Sequence, residues 1–244
     1  MKIGMQLYSL SALVDLGKTE EAVKTACAAG IDGLELYGSY DFPAITYRKL
    51  LNEYGVVCSG THNLWAPLRD DLDRVMEYNY VLGNKTIICH WLNEDERGSR
   101  ENYLRVAENL NEIGQKLRRN GFDFLYHNHD FEFREVFGGK TGYELLTENT
   151  DPLVLGLELH IGQLPKFDID IPGFIRKHGR RIKILHAHAF NTWGDPFDSK
   201  PGIEAAKALD VDWVVLENVY PEEHCTVDTV ARDVEALRRL VRES

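Results

Sequence analysis

Short runs of β-branched, aliphatic and aromatic residues alternate along the chain with longer stretches in which apolar residues recur every three or four positions. The short runs have the period of strands, and the longer stretches have the period of helices with one apolar face. Eight runs predict eight strands: KIGMQLYS at 2–9, GLELYG at 33–38, VVCSGTH at 56–62, KTIICHW at 85–91, FDFLYHN at 122–128, LVLGLEL at 153–159, IKILHAH at 182–188 and WVVLENV at 213–219. This alternation is typical of a parallel sheet built from βα units.

The clearest helix is predicted over residues 101–120, because its apolar side chains fall on one stripe. The stripe consists of Leu104, Leu110, Ile113 and Leu117. Three glycines stand just before predicted strands, where a helix C-cap and a tight loop need a left-handed backbone. They are Gly30, Gly55 and Gly121.

Eight strand and helix alternations in 244 residues match the usual size of a (β/α)8 barrel. We therefore predict an α/β protein with a single TIM-barrel domain over residues 1–244. A doubly wound open sheet is the alternative, and it usually binds its cofactor through a glycine-rich loop after the first strand. Here that loop reads SLSALVDLGK and has neither GxGxxG nor GxxxxGK[ST], which disfavours nucleotide binding.

Polar side chains gather at the C-terminal ends of the predicted strands, where TIM barrels carry their active sites. Seven of the nine histidines occupy such positions: His62, His90, His127, His129, His160, His186 and His188. Gln6, Glu35 and Glu217 stand in or near the ends of three other strands. Strand alternation places His186 and His188 on one face with Ile184, and Glu158 on one face with His160, but it does not say which face is the lumen.

A divalent cation would satisfy several of these polar groups together. Each buried group would otherwise cost about 1–3 kcal/mol if unpaired, although any single histidine can be a hydrogen-bonded structural residue instead. Imidazoles with carboxylates suit a first-row metal better than Ca²⁺. We predict one ion, with Mn²⁺ as the first choice and Co²⁺, Fe²⁺, Zn²⁺ or Mg²⁺ as alternatives. Because ligation needs neutral imidazole, the site should weaken below about pH 6.

Charge and cysteine content narrow the classes of partner. Lys plus Arg is 28 and Asp plus Glu is 39, which gives a formal charge of −11 that repels a phosphate backbone. We therefore expect no nucleic acid partner, which argues against an endonuclease-IV-like DNA repair enzyme. The four cysteines include no CxxC pair, and the start MKIGMQLYSL lacks a basic segment before an apolar run. These features predict a reduced cytoplasmic protein with no signal peptide and no membrane span.

Six segments spread over nearly the whole chain carry a family resemblance. They are IGMQLYS, AAGIDGLELYG, YHNHDFEF, TDPLVLGLEL, ILHAH and WVVLEN, of which YHNHDFEF is the most specific. Together they resemble the sugar phosphate isomerase/epimerase family, the xylose-isomerase-like TIM barrels. Members of that family hold one divalent metal with Glu, Asp, His and Glu from strands five to eight.

The resemblance carries the last two ligands onto His186 and Glu217. The strand-five position falls on His127, with Glu132 as a possible substitute. The strand-six position falls on His160, with Glu158 two residues earlier as its alternative. Histidine therefore stands where the family has carboxylates at two of the four ligand positions.

The resemblance implies an isomerase or epimerase of a small sugar, keto sugar or polyol that removes a proton next to a metal-bound carbonyl. The candidate catalytic residues are Glu217, His127 and Glu132. Because His127 breaks the pair of carboxylate bases used by the family's epimerases, a lyase or dehydratase acting on a keto sugar or inosose stays open. A non-catalytic sugar-binding barrel also stays open.

We expect the substrate to contact the remaining polar and aromatic residues of the rim: Gln6, Glu35, His62, His90, Trp91, His129 and His188. Trp65 and Trp193 are further candidates for packing on a sugar ring. The long loop AFNTWGDPFDSKPG after the seventh strand has Lys200 as its only positive charge, which favours an unphosphorylated substrate. The sequence is also compatible with a homo-oligomer.

Overall fold

The structure, a computed structural model, describes residues 1–37, 42–188 and 198–244. Eight strands build a barrel: β1 (Lys2–Gln6), β2 (Gly33–Leu36), β3 (Val57–Leu64), β4 (Thr86–Trp91), β5 (Asp123–His127), β8 (Gly156–His160), β9 (Ile182–Ala187) and β10 (Trp213–Leu216). Two further strands, β6 (Val136–Phe137) and β7 (Lys140–Thr141), form a small antiparallel hairpin. The barrel strands are parallel in the order β1-β10-β9-β8-β5-β4-β3-β2, and β10 closes against β1, which confirms the predicted TIM barrel.

Helices follow the strands around the outside. They are α1 (Ser11–Asp15), α2 (Thr19–Ala28), α3 (Ala44–Tyr54), α4 (Trp65–Asp70), α5 (Leu72–Leu82), α6 (Arg100–Arg119), α7 (Phe131–Arg134), α8 (Gly142–Glu148), α9 (Ile171–His178), α10 (Lys200–Lys207) and α11 (Val227–Glu243). Helix α6 confirms the prediction over 101–120, and Ser99 caps it by accepting a hydrogen bond from the backbone of Asn102. Gly30, Gly55 and Gly121 have positive φ of 85°, 67° and 80°, as expected of helix-ending glycines. None of these helices is long and apolar enough to cross a membrane.

Several strands are shorter than their apolar runs, and β1 and β8 show two causes. Strand β1 ends at Gln6, because the Gln6 side chain accepts a hydrogen bond from the backbone of Tyr8 at 3.1 Å and the next four residues coil into a 3₁₀ helix. Strand β8 begins three residues later than predicted. The carbonyl of Asp151 accepts hydrogen bonds from the backbones of Val154 and Leu155 at 3.1 and 3.0 Å, which forms a turn before the strand.

The apolar core lies mainly between the barrel and its helices, and a smaller cluster fills the lower lumen. The lumen cluster consists of Ile88, Leu125, Ile184 and Val215, with Trp213 packed against it. Because Ile184 belongs to this cluster, strand alternation directs His186 and His188 into the lumen as well. Strand alternation alone did not identify the lumen-facing side of β9, and the structure shows that it is the side with Ile184 and His186.

Glycines make room for this apolar floor. A Cβ on Gly33 would lie 2.6 Å from the ring of Trp213, and one on Gly156 would lie 2.5 Å from Leu125. Real Cβ atoms do not approach so closely, so each large side chain depends on the glycine opposite. The barrel is packed below its midpoint, and the polar residues stand on that floor.

Candidate active site

A layer of buried polar side chains lies directly above the apolar floor. Six strands supply it with Gln6, Glu35, His62, His127, Glu158 and His186. His160 at the end of β8 and Glu217 just beyond β10 lie next to this layer. The structure therefore brings together residues that are up to 211 positions apart, from Gln6 to Glu217.

Glu158 contacts three histidines in this layer, accepting hydrogen bonds from His62 and His127 and forming an ion pair with His186. Its Oε2 lies 2.7 Å from Nε2 of His62 and 2.8 Å from Nδ1 of His127, and its Oε1 lies 3.3 Å from Nε2 of His186. Burial raises the pKa of Glu158, but the positive charges of His186 and His62 outweigh it and hold that pKa well below the usual value. Glu158 is thus an ionised carboxylate in the centre of the barrel.

Glu35 is a second buried carboxylate of the same layer. Its Oε1 accepts a hydrogen bond from Nε2 of Gln6 at 2.6 Å and lies 2.8 and 2.9 Å from Nε2 of His62 and His186. Burial opposes the charged form of His62, but Glu35 and Glu158 outweigh it and raise its pKa to about 9. The pKa of His186 is likewise raised well above its usual value. Of the two residues that we expected to contact substrate, Glu35 contacts these histidines and Gln6 contacts Glu35.

A group of four candidate ligands lies beside this layer. His127, His160, His186 and Glu217 each offer one ligand atom, and these atoms lie within 4.8 Å of one another. Nδ1 of His186 lies 2.8 Å from Oε2 of Glu217, and Nδ1 of His160 lies 3.6 Å from the same oxygen. Burial lowers the pKa values of His160 and His127, which keeps both rings in the neutral form that a metal needs.

Two buried ring nitrogens of this group, Nδ1 of His160 and Nε2 of His186, have no hydrogen bond among the described residues. The carboxylate of Glu217 lies beside Nδ1 of His160. A cation between them would satisfy both. His127 fits the same arrangement, because its Nδ1 hydrogen bonds to Glu158 and leaves Nε2 for a metal. The four residues therefore fit a divalent metal, which would displace a proton from His186, whose pKa burial lowers but Glu158 and Glu35 raise overall.

A second group of possible ligands overlaps with the first. It consists of His62, His127, Glu158 and His186. Glu158 already hydrogen bonds to His62 and His127, so these three side chains satisfy one another without a cation. The group that contains His160 and Glu217 is therefore the better candidate for a metal site, and Glu158 supports its histidines.

Glu132 lies apart from both groups among the residues that the structure describes. It is fully buried on α7, where it accepts hydrogen bonds from the hydroxyl of Tyr126 at 2.6 Å and from the backbone of His129 at 2.8 Å. Burial raises its pKa to about 7. These contacts hold Glu132 against the end of β5 rather than among the four ligands.

Aromatic rings line one side of the site. The ring of His90 stacks on that of His62 with centroids 4.9 Å apart, and Trp91 meets the ring of His129 edge-on at 4.9 Å. Burial lowers the pKa of His90 well below its usual value and that of His129 to about 2, so both rings are neutral. Trp91 is 37% exposed at the end of β4, where a ligand can reach it.

The other two tryptophans that we expected to pack on a sugar have different outcomes. Trp65 is only 1% exposed and packs in the core at the start of α4, which corrects the expectation that it reaches a sugar. Trp193 lies outside the described residues, as do residues 189–197 of its loop.

His188, which we expected to contact substrate, contacts two other side chains. Its Nε2 lies 3.3 Å from Nε2 of His160, and its Nδ1 lies 3.3 Å from Oδ1 of Asn218. Asn218 donates to Asp233 at 3.1 Å, and Asn128 exchanges two hydrogen bonds with the backbone of His160. The sequence analysis missed all three of these partners. Only Asn128 carried a signal, because it stands between two rim histidines.

Comparison with known proteins agrees with this fold. The sequence model that describes the xylose isomerase-like TIM barrel matches residues 23–198. A sugar phosphate isomerase/epimerase from Parabacteroides distasonis superposes with a TM-score of 0.81 at 19% identity, over 97% of this chain and 93% of that chain. A D-psicose 3-epimerase from Clostridium cellulolyticum, solved with D-tagatose, superposes with a TM-score of 0.72 at 14% identity, over 100% and 99% of the two chains. At such identities these structures speak for the fold alone.

A sequence relative adds a shorter match. The inosose dehydratase of Halalkalibacterium halodurans is 34% identical over 86 residues, which cover 34% of this chain and 27% of that protein. The match thus spans about a quarter of the relative's length.

Proposed function

The chain belongs to the xylose isomerase-like TIM barrel family, and from that premise we propose that it is a divalent-metal-dependent isomerase or epimerase of a small unphosphorylated sugar, keto sugar or polyol. The convergence of His127, His160, His186 and Glu217, with the buried Nδ1 of His160 unpartnered, carries this proposal. The names of several structural relatives support it, since they are sugar isomerases or epimerases.

Three imidazoles and one carboxylate would hold the ion. This donor set suits Mn²⁺, Fe²⁺, Co²⁺ or Zn²⁺ better than Ca²⁺, and we keep Mn²⁺ as the first candidate, with Mg²⁺ as a further possibility. When bound, the ion would polarise the carbonyl of the substrate and so acidify the adjacent C–H.

Glu217 is our candidate for the base that removes that proton. Burial raises its pKa, but His160 and the hydrogen bond from His186 outweigh it and hold the pKa well below the usual value. Glu217 is therefore ionised at neutral pH and ready to accept a proton. Because a carboxylate with a low pKa is a weak base, it depends on the acidity of the C–H next to the carbonyl.

His127 is our candidate for the group that returns a proton, a role in which its Nε2 must be released from the metal, because a nitrogen that holds a cation cannot carry a proton. Its Nδ1 hydrogen bonds to Glu158, so a positive charge that forms on the imidazole would be stabilised by a neighbouring carboxylate. Glu132, whose pKa is raised to about 7, stays a candidate for proton exchange near neutral pH. The reacting pair would thus be a carboxylate and an imidazole rather than two carboxylates.

This unequal pair favours a second candidate function, the elimination of water from a keto sugar or inosose. Glu217 would take the proton next to the carbonyl, and His127, once its Nε2 is released from the metal and protonated, would give that proton to the departing hydroxyl, which leaves as water. The 86-residue match to an inosose dehydratase supports this alternative.

The aromatic wall would bind the body of the substrate. The exposed face of Trp91 can pack on the C–H face of a sugar, while neutral His90 and His129 can exchange hydrogen bonds with its hydroxyls. In this proposal His62, Gln6 and Glu35 hold the other side chains of the polar layer in place and do not touch the substrate.

Metal loading followed by turnover in D₂O tests the proposal. The protein is stripped with a chelator, reloaded with Mn²⁺, Co²⁺ or Mg²⁺, and supplied with keto sugars, polyols and inososes. Deuterium on the carbon next to the carbonyl would identify an isomerase or epimerase, and loss of water would identify a dehydratase.

The variant His160→Gln should lose metal affinity, whereas His178→Gln on α9 is the matched control and should retain it. A wild-type protein that binds no stoichiometric metal and turns over no compound of the panel with any ion would contradict the proposal.

A further inference from the structure

A chain of hydrogen bonds leads from the candidate metal centre to helix α11. Asp233 on that helix is 2% exposed and accepts hydrogen bonds from Nδ2 of Asn218 at 3.1 Å and from the hydroxyl of Tyr220 at 2.9 Å. Oδ1 of Asn218 lies 3.3 Å from Nδ1 of His188. Nε2 of His188 lies 3.3 Å from Nε2 of His160.

The carboxylate of Asp233 determines which group donates and which accepts in each hydrogen bond of this series. An ionised carboxylate can only accept, so Asn218 must turn its NH₂ group towards Asp233 and its oxygen towards His188. Because an amide oxygen also only accepts, the proton of His188 must lie on Nδ1. In a neutral ring the other nitrogen, Nε2, is then unprotonated.

The same reasoning fixes the proton of His160. Its Nε2 faces the unprotonated Nε2 of His188, so it must be the donor of that pair, and its Nδ1 must carry a lone pair. This Nδ1 is the buried unpartnered atom that lies 3.6 Å from Oε2 of Glu217. Two acceptors thus face each other, which suits a cation between them rather than a hydrogen bond.

A glycine in the loop after β8 supports this geometry independently. A Cβ on Gly162 would lie 2.3 Å from Nε2 of His188 and 3.2 Å from Nε2 of His160. The ring of His188 can therefore reach His160 only because residue 162 has no side chain. Ser199 helps to fix the backbone of His188 by donating a hydrogen bond to its carbonyl at 2.9 Å.

We propose that Asp233, Asn218 and His188 are positioning residues that set the tautomer of His160 so that its Nδ1 is presented to the metal. The inference rests on the proposed metal centre, and these residues act only through His160. Replacing such outer partners of a metal ligand typically costs about 10–100-fold in metal affinity.

The substitution Asp233→Asn keeps the shape of the side chain but allows donor and acceptor to exchange roles in every hydrogen bond of the series. The new amide can donate to the oxygen of Asn218, which then turns its NH₂ group towards His188. His188 must accept at Nδ1 and donate from Nε2. The proton of His160 moves to Nδ1, where it competes with the metal.

The tautomers are measured in the metal-free protein by long-range ¹H–¹⁵N correlation NMR of ¹⁵N-labelled histidines, above about pH 7.5 so that free histidine is neutral. The wild type should show His188 protonated at Nδ1 and His160 protonated at Nε2. Asp233→Asn should show the reverse, and its affinity for Co²⁺ should fall by about 10–100-fold in competition with a chelator. A wild-type His160 protonated at Nδ1 would overturn the inference.

Two further variants distinguish a reversal of the donor–acceptor order from the simple loss of a hydrogen bond to Asp233. Tyr220→Phe removes the other strong hydrogen bond of Asp233 without reversing the chain, so it should keep the wild-type tautomers and affinity. The double variant Asn218→Asp with Asp233→Asn exchanges the two groups. Its carboxylate again accepts from Nδ1 of His188, so both tautomers and Co²⁺ affinity should return. Reversed tautomers in Tyr220→Phe, or no recovery in the double variant, would count against the inference.

The experiment also separates this inference from the proposed function. If the wild type binds no metal, the proposed function fails, while the tautomers still decide whether Asp233 directs His160. If Asp233→Asn does not fold, Gly162→Ala replaces it, because that change displaces His188 without touching Asp233. A Gly162→Ala protein with the wild-type His160 tautomer and Co²⁺ affinity would overturn the inference.

Discussion

Nδ1 of His127 donates a hydrogen bond to Oε2 of Glu158 at 2.8 Å, between two residues that the parallel register of β5 and β8 places side by side. This bond fixes the tautomer of the imidazole and leaves Nε2 free to bind a metal. A carboxylate from the next strand of the barrel thus holds the candidate histidine ligand of β5.

Glu158→Gln should therefore weaken metal binding about 10–100-fold, because one amide oxygen cannot replace the charge that holds His127, His62 and His186. A Co²⁺ titration in competition with a chelator measures the change. Glu148→Gln, at the exposed end of α8, is the matched control and should behave as the wild type. Unchanged affinity in Glu158→Gln would show that Glu158 does not support the metal ligands.

Glu217→Gln should lower kcat by about 10²–10⁴-fold, the range expected for the loss of a positioned acid or base. Metal binding should weaken but persist, since three imidazoles remain. Steady-state turnover and metal content are measured on the same preparation. Glu222→Gln, on the exposed 3₁₀ helix that follows, is the control and should keep wild-type turnover. Full activity in Glu217→Gln would assign proton removal to another residue.

The metal-free protein should lose stability as pH rises from about 6.5 to about 9. His62 has a pKa of about 9 in the folded protein and about 6.5 when unfolded. The folded state thus binds the proton more tightly, so this contribution is complete below pH 6.5 and is lost as pH approaches 9. The free energy of unfolding should fall by up to about 3 kcal/mol from this residue.

Urea unfolding with a chelator present measures that change. His62→Gln cannot titrate in this window and should show a smaller slope of unfolding free energy against pH, although His186 still contributes. Equal slopes in the wild type and in His62→Gln would exclude the tight binding of the proton at His62.

Trp91→Ala should raise KM by about 2- to 10-fold and leave kcat nearly unchanged, because an aromatic packing contact worth about 0.5–1.5 kcal/mol would be lost away from the reacting carbon. Tyr80→Ala on α5 removes an 80% exposed ring and is the control for a general surface effect. A fall in kcat without a change in KM would place Trp91 at the chemistry instead.

Gly33→Ala should destabilise the barrel by about 1–3 kcal/mol, because the added methyl group would overlap the ring of Trp213. Adding Trp213→Phe should restore part of the loss by shortening that ring. Urea unfolding of the two variants makes the comparison, and an unaltered midpoint in Gly33→Ala would mean that the floor can relax.

The barrel was predictable because the strand period and the apolar stripes of helices such as Arg100–Arg119 are local properties of the sequence. The hairpin of β6 and β7 was not predicted, since each strand has only two residues. The early end of β1 was missed as well. There a single side-chain contact, from Gln6 to the backbone of Tyr8, overrides an apolar run.

The sequence predicted the four candidate metal ligands but not the hydrogen bonds that hold them in place. The register between β8 and β9 shifts at Leu157 and Glu158, so that Glu158 lies beside Ile184 and His160 beside His186. No local pattern encodes such a shift. The hydrogen bond of Asn218 to Asp233 joins the segment after β10 to helix α11, and it too forms only when the barrel is folded.

The packed floor of the barrel limits how this pocket can change in evolution or by design. Trp213 already fills the space beside Gly33. A larger residue at position 33 would therefore require the floor to repack, and so would a deeper pocket. Larger or smaller substrates must therefore be accommodated at the rim, in the segments that follow the strands. We expect variants with altered substrate range to arise from changes in rim loops while the glycine-lined base of the barrel stays constant.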